Sequence, residues 1–445
     1  MKSYDVVVIG GSAAGIPAGI TARRHYPDKT IALIRKEQKV PIPCGIPYVF
    51  GTVMGTDKNI IPDAVLEQNK IDLIIDEATA VDPKAKSVST ASGETVEYEK
   101  LVLATGSDPL QPPIKGIDKT NVYFVKKDVP YLDELLSKLD EIKDIVVLGG
   151  GFIGVEFADE LRKRGLNVSI VEMLPHCLLL AFEENLCAEA EEKLTASGVN
   201  VVTDLRLEEI LGDDTVSGIK LSDGQELKVD IVLVSIGVVP NIKLAEEAGL
   251  EIGKGGIVVD NHMRTSDENI FAVGDCTSKK SFFTGKPSGL NLASIATTEA
   301  RVAGANLFET RRENSGVIGV FSTIVGDMVL ASAGLGEKEA HDNGYDVASG
   351  EIEKPNRHPG GMPGMKPMKV KLVFNKANGE LLGGHARGGE SVGELINTIS
   401  ACIQKKMTAD DIAMFQLGTH PAVTASPIAY QLVNAAELAI KAMRE

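Results

Sequence analysis

The sequence predicts an α/β protein: two doubly wound strand–turn–helix units and a smaller C-terminal α+β unit. Three observations predict it. The β-branched run Val6-Val7-Val8-Ile9 leads straight into Gly10-Gly11-Ser12-Ala13-Ala14-Gly15 and a helix-compatible stretch. Ile145-Val146-Val147-Leu148 leads in the same way into Gly149-Gly150-Gly151-Phe152-Ile153-Gly154. After Asn306 the pattern changes to strand-like runs at Val317–Thr323, Met328–Ala333 and Met368–Phe374, then to helical periodicity at Gly393–Gln404 and Ala429–Met443. A chain of 445 residues exceeds one core, and at ~150 residues per domain it suggests about three.

The first unit opens with a strand from Tyr4 to Ile9. It closes with Leu101-Val102-Leu103-Ala104-Thr105-Gly106-Ser107, an apolar run ending in a small-residue turn, and Pro109, Pro112 and Pro113 mark a linker. A glycine-rich turn between strand and helix lets backbone approach a pyrophosphate, whose charge the helix N-terminus favours. One such turn is weak evidence. Two, each opening a βαβ-like segment, point to two dinucleotides and so to electron transfer between them. The second unit ends in Ile231 to Pro240, with Gly237 in its turn, and Phe271-Ala272-Val273-Gly274-Asp275 follows. The loop Asn356–Pro367, rich in Gly, Pro and Met, reads either as a lid or interface arm or as a surface excursion.

Composition narrows the class. Hydrophobic residues make up 43% and charged residues 24%, as in ordinary globular proteins. No apolar run approaches the ~20 residues of a membrane span, and the chain enters its first strand without room for a signal peptide. A cytoplasmic protein is expected. A net charge of −16 argues against nucleic acid or an anionic membrane as a general partner. The five cysteines, Cys44, Cys177, Cys187, Cys276 and Cys402, are scattered and lack CxxC spacing. No disulfide framework and no metal site are expected. Cys44 has no neighbouring cysteine, so redox work there would use a single sulfur. A lone cysteine is by composition a small buried hydrophobe. Here Pro41-Ile42-Pro43 fixes an extended approach and Gly45–Phe50 reads as the start of a helix, where a thiol is activated. Cys177, Cys187 and Cys402 fall on helix-like stretches and read as packing residues.

Taken in order, Gly10–Gly15, Cys44-Gly45-Ile46-Pro47-Tyr48, Ala104-Thr105-Gly106, Gly149–Gly154 and Phe271–Asp275 resemble the FAD-dependent pyridine nucleotide–disulfide oxidoreductases over essentially the whole chain. The single cysteine followed by Gly-x-Pro-Tyr resembles the branch of coenzyme A-disulfide reductases, NADH oxidases and NADH peroxidases. The resemblance implies two Rossmann-like domains, FAD-binding (1–118 and 243–310) and NAD(P)H-binding (119–242), with a C-terminal dimerisation domain (311–445) and hence a homodimer. It implies that FAD meets Gly10, Ser12 (where a glycine is usual), Ala13, Gly15, Ala104, Thr105, Gly106 and Asp275. The acidic residue usual after the second strand is replaced by Arg35-Lys36-Glu37: either Glu37 takes its role through a shortened loop, or Arg35 and Lys36 line the adenosine half through backbone and stem. NAD(P)H is implied at Gly149, Gly151, Phe152, Ile153 and Gly154, with Glu156 beside the nicotinamide and Gly237 in the closing turn. Glu172, at the spacing of a ribose-binding acid, favours NADH over NADPH.

The branch implies a redox role for Cys44, with Tyr48 and Arg24 at the substrate, Arg24 matching a partner of coenzyme A phosphates. Bare physical chemistry also reads Arg23-Arg24-His25 as a helix C-terminus where cations are favoured. Oxidases and peroxidases carry a histidine where Ala13 stands, so its absence argues against oxygen or peroxide chemistry. Pro41 and Pro43 replace polar residues of the coenzyme A enzymes. His420 in Gly418-Thr419-His420-Pro421 resembles the interfacial acid–base histidine of the paired-cysteine reductases, although Ala425 replaces its orienting carboxylate. The expected function is electron transfer from NADH through FAD to Cys44, and on to a small disulfide, persulfide or polysulfide. The alternatives are an NADH oxidase reducing oxygen and a reductase of a small electron-carrier protein.

Overall fold

The continuous β-branched run Val6–Ile9 of Lys2–Ile9 produces the central strand of the first sheet, with Val6, Val7 and Val8 fully buried, as a strand covered on both faces requires. A computed structural model describes residues 2–445. Lys2–Ile9 pairs in parallel with Ile31–Arg35 on one side and Thr95–Leu103 on the other, Val8 facing Leu33 and Val102. Asp72–Ile75 and Ile270–Ala272 extend the sheet at either end, also in parallel. The strand order reverses about Lys2–Ile9, and the turn at its carboxyl end, Gly10, opens the helix Gly15–His25. Crevices at such switch points are where α/β folds bind ligands.

A second parallel set has the order Asn200–Val202, Asn167–Val171, Asp144–Leu148, Ile231–Val234. Its switch point is Gly149, which opens the helix Phe152–Lys163. Gly10 and Gly149 both take the left-handed φ that only glycine adopts cheaply, +115° and +105°.

The C-terminal sheet is antiparallel, in the order Val320–Val325, Met328–Gly334, Leu381–Gly388, Pro367–Asn375, Val347–Pro355. Helices Val392–Gln404 and Gln431–Arg444 cover it with buried apolar stripes. Three strands and both helices fall where the periodicity places them. Val347–Pro355 and Leu381–Gly388 are additional: the first mixes Gly, Glu, Lys and Pro into an edge, and the second carries three glycines.

By contact the chain divides into two compact units. One comprises Met1–Pro113, Tyr123–Ile142 and Ile236–Val317; the other comprises Ile114–Val122, Lys143–Ser235 and Ile318–Glu445. The second glycine turn thus shares a unit with the C-terminal sheet. Phe152 stacks on Phe321 with centroids 5.0 Å apart and planes 9° off parallel. Lys371 pairs with Glu183 at 2.9 Å and Arg387 with Glu189 at 2.8 Å. Among the described residues no helix is long and apolar enough to cross a membrane, and no group of acidic, histidine or cysteine side chains has metal-site geometry.

Candidate nucleotide and thiol sites

In the first unit three loops converge on the helix that follows Gly10. The Ala104 carbonyl crosses Gly10 so closely that an added Cβ there would lie 2.1 Å from its oxygen. A Cβ on Gly274 would meet the Ala14 Cβ at 2.9 Å, so the turn carrying Asp275 lies against the glycine turn. The Asp275 carboxylate accepts a hydrogen bond from Ser107 at 2.8 Å and lies 3.4 Å from the Lys127 ammonium. Thr105 Oγ1 donates to the Asn241 carbonyl at 2.6 Å, and Asn241 Nδ2 returns a bond to the Thr105 carbonyl at 3.1 Å. Gly237 belongs to this same unit, its carbonyl accepting from Leu110 N–H at 3.0 Å. An 11-residue helix with its amides at the turn, backbone close to the surface and a carboxylate across from it fits FAD.

Beneath the Asp275 turn runs a buried network that pattern reading misses. Lys279 Nζ donates to the Gly274 carbonyl at 2.6 Å and to Glu299 at 3.0 Å, and the same Glu299 oxygen accepts Gly274 N–H at 2.8 Å. Both side chains are 2% exposed. Burial pushes the Glu299 carboxyl up against the pull of Lys279. Twenty residues separate the partners, so no local signal marks them.

Arg35 occupies the expected acidic position in an unexpected way. Its stem lies against Gly11, whose added Cβ would be 2.5 Å from Arg35 Cδ. Its guanidinium is taken up by Asp63 in a bidentate pair at 2.7 and 2.8 Å and by the Glu37 carbonyl at 2.9 Å. The side chain is fully buried, which leaves its stem and backbone beside the turn, while Lys36 is exposed.

In the second unit Glu172 is 9% exposed and braces its own glycine turn. One oxygen accepts Gly150 N–H at 2.6 Å and the other Leu174 N–H at 2.7 Å. Gly151 caps the 12-residue helix Phe152–Lys163 and faces open space, with nothing within 4 Å of an added Cβ. That opening at a helix N-terminus fits the pyrophosphate of a second dinucleotide. Ile153 is exposed and Phe152 half-buried. Glu156 accepts a hydrogen bond from Thr323 Oγ1 at 3.0 Å. Burial, helped by nearby Glu160, pushes its carboxyl up to about 7 against the Thr323 bond.

Cys44 is exposed, and the other four cysteines are buried. Burial pushes Cys177 and Cys187 up to about 12 and Cys402 up to about 11, and raises Cys276 as well. Cys187 and Cys402 lie on helices, whereas Cys177 lies in a turn under Gly150, 2.6 Å from where a Cβ would be. Cys44 itself sits in the single 3₁₀ turn Pro43–Gly45, and the helix after it, Ile46–Val49, has only four residues. So short a helix has little macrodipole to offer a thiolate. Tyr48 is half-buried on it. Arg24 is exposed, while its neighbour Arg23 donates to four backbone carbonyls and is structural.

His420 is exposed in the other unit. Its Nδ1 accepts Ala422 N–H at 3.2 Å, which assigns the neutral proton to Nε2. Buried Ala425 offers no carboxylate. The loop 356–367 is tied to this segment: His358 N–H donates to the Pro421 carbonyl at 3.2 Å, and its Nδ1 lies 3.1 Å from the Thr424 carbonyl.

Two glycine turns at two switch points, each opening a helix, define an enzyme scaffold for two dinucleotides. Residues 4–300 match the pyridine nucleotide-disulphide oxidoreductase family, and residues 320–428 match its dimerisation domain. The chain is 33% identical to an NADH oxidase of Methanocaldococcus jannaschii, covering 98% of each chain. It is 32% identical to a CoA-dependent NAD(P)H sulfur oxidoreductase of Pyrococcus abyssi, over 94% of each. The structure of an NAD-dependent persulfide reductase from A. fulgidus superposes with a TM-score of 0.90 at 32% identity, covering 98% of this chain and 83% of that one. This chain belongs to the pyridine nucleotide-disulphide oxidoreductase family, and it is an FAD-dependent NAD(P)H oxidoreductase. The match to the dimerisation domain supports a homodimer.

Proposed function

We propose that the protein takes two electrons from NADH and delivers them through Cys44 to a small disulfide, persulfide or polysulfide. The observation that carries this reading is that Cys44 is the one exposed cysteine, while burial keeps the other four protonated. The net reaction with a persulfide is NADH + H⁺ + RSSH → NAD⁺ + RSH + H₂S. FAD, when bound, supplies the two-electron link between NADH and the thiol. The Cys44 thiolate attacks one sulfur of the acceptor and breaks its S–S bond, leaving Cys44 in a mixed disulfide or persulfide, which the two electrons from NADH cleave to return the Cys44 thiolate and release the second sulfur as thiol or sulfide. The departing thiolate takes a proton, and His420 is our assignment for the group that delivers it. NADH is preferred over NADPH because the Glu172 carboxylate, pinned to two amides of its turn, would repel a 2′-phosphate. Arg24 and Tyr48 are assigned to the acceptor. We place the enzyme in the cytoplasm.

The test is an anaerobic NADH titration of wild type and Cys44→Ser. A broad band on the long-wavelength side of the flavin absorbance is expected in wild type only. Cys44→Ser is expected to lose disulfide and persulfide reduction and to keep flavin reduction. Simple bleaching in wild type, with full reductase activity in Cys44→Ser, would transfer the assignment to direct oxygen reduction or to a protein acceptor.

A further inference from the structure

The Cys44 turn has no long helix to orient it, so its geometry must be set from elsewhere. It is set by the segment Thr56–Ile61. Ile42 N–H donates to the Asn59 carbonyl at 2.9 Å, and Asn59 Nδ2 donates back to the Ile42 carbonyl at 3.0 Å. That same carbonyl accepts Gly45 N–H at 3.0 Å, closing the turn around Cys44. Pro41 and Ile60 form an antiparallel bridge one residue further out. Asn59 is only 6% exposed. Its amide also abuts Gly45: an added Cβ there would lie 2.0 Å from Asn59 Oδ1 and 2.8 Å from Cγ. The brace is anchored in turn. Asn59 N–H donates to the Thr56 carbonyl at 2.9 Å, and Thr56 Oγ1 donates to Asp133 on the helix Val129–Lys138 at 2.5 Å.

We infer that Asn59 is the positioning residue of the reactive thiol, a clamp on Ile42 that holds the Pro43-Cys44-Gly45 turn in its reactive geometry. This rests on the reading of Cys44 given above. Two contacts make the residue specific. The side chain must donate, because Ile42 presents a carbonyl, and it must be flat where it passes Gly45. Leucine has similar bulk but no donor. Small displacements of a reacting atom are costly, so the effect should be read at the sulfur itself.

The experiment uses the FAD-loaded enzyme and follows alkylation of Cys44 by iodoacetamide against pH, with reduction of hydroxyethyl disulfide in parallel. In Asn59→Leu, alkylation at neutral pH is expected to slow about tenfold and its pH midpoint to move, with disulfide reduction falling alongside. An FAD-loaded Asn59→Leu enzyme with the wild-type rate and midpoint would overturn the inference. Should Asn59→Leu fail to retain FAD, Gly45→Ala is the second variant. Its methyl would collide with the Asn59 amide, so it is expected to slow alkylation likewise. An FAD-loaded Gly45→Ala enzyme with the wild-type rate and midpoint would also overturn the inference. If wild-type Cys44 does not react, or Cys44→Ser still reduces disulfides, the thiol reading itself falls, an outcome separate from the behaviour of Asn59.

Discussion

Lys279 and Glu299 are a charged pair sealed beneath the turn that carries Asp275, and removing one partner strands the other. Lys279→Met is expected to destabilise the protein by about 3–5 kcal/mol, whereas Lys279→Met with Glu299→Leu recovers much of the loss. Urea unfolding of the two variants measures this. Glu156 makes a second residue-scale prediction. Its folded pKa, about 7, exceeds the ordinary carboxyl value of 4.5, so the fold binds the proton more tightly than the unfolded chain does. Stability is therefore lost as pH rises across that window and is flat above it. Glu156→Gln removes this component and should gain on the order of 1 kcal/mol relative to wild type at pH about 8, with little difference near pH 4.5. Thermal melts across pH decide it. His385 has the opposite sense. Burial holds its ring below the usual histidine value, with Lys371 adding to the effect and Glu183 and Glu337 opposing it. The unfolded chain gains that proton first, so stability drops as pH falls below about 6.5, and His385→Gln should flatten the drop in the same melts.

Among the elements, the two glycine turns were fully legible, because apolar strand, small-residue turn and helix are contiguous and each carries its own signal. The place of Glu172 at the end of the second strand was legible by spacing. Its hold on Gly150 and Leu174 was not, since one carboxylate joins elements 22 residues apart in the chain. Glu172→Ala should loosen that turn and raise the ratio of NADPH to NADH turnover efficiency by about tenfold; steady-state kinetics with both nucleotides tests it. An unchanged ratio would reduce Glu172 to a brace. The strands Val347–Pro355 and Leu381–Gly388 escaped notice because their burial is lent by neighbours in the sheet rather than by their own composition. That Cys44 stands exposed in a turn was legible through its flanking prolines and glycine. The helix expected after it shrank to four residues, and the part taken by Asn59 depends on pairing across a loop, which no periodicity encodes.

At the scale of the molecule, the order of motifs carried the fold class, since two dinucleotide turns and a trailing antiparallel sheet leave few topologies. Contact organisation was less legible. The second nucleotide turn is bound into one unit with the C-terminal sheet through Phe152 on Phe321 and through ion pairs such as Lys371 with Glu183. Mutating that seam should therefore disturb the second nucleotide site and the C-terminal sheet together. Phe321→Ala is expected to weaken NADH binding and lower the C-terminal melting temperature in step, measured by NADH titration and by hydrogen exchange over Val320–Gly334. Sedimentation of the intact enzyme should give a particle of twice the chain mass.

Four cysteine thiols locked in cores and one at the surface also decide how the protein's thiol chemistry ages under oxidants. A sulfenate formed at Cys44 can be rescued by an incoming thiol, but the interior sulfurs of its own chain are in no state to condense with it, so each further oxidation is terminal. Thiol damage would then be scored one cysteine per chain, an all-or-none loss across a population of molecules rather than a graded decline, and the supply of small thiols in the medium would set how long that cysteine keeps working.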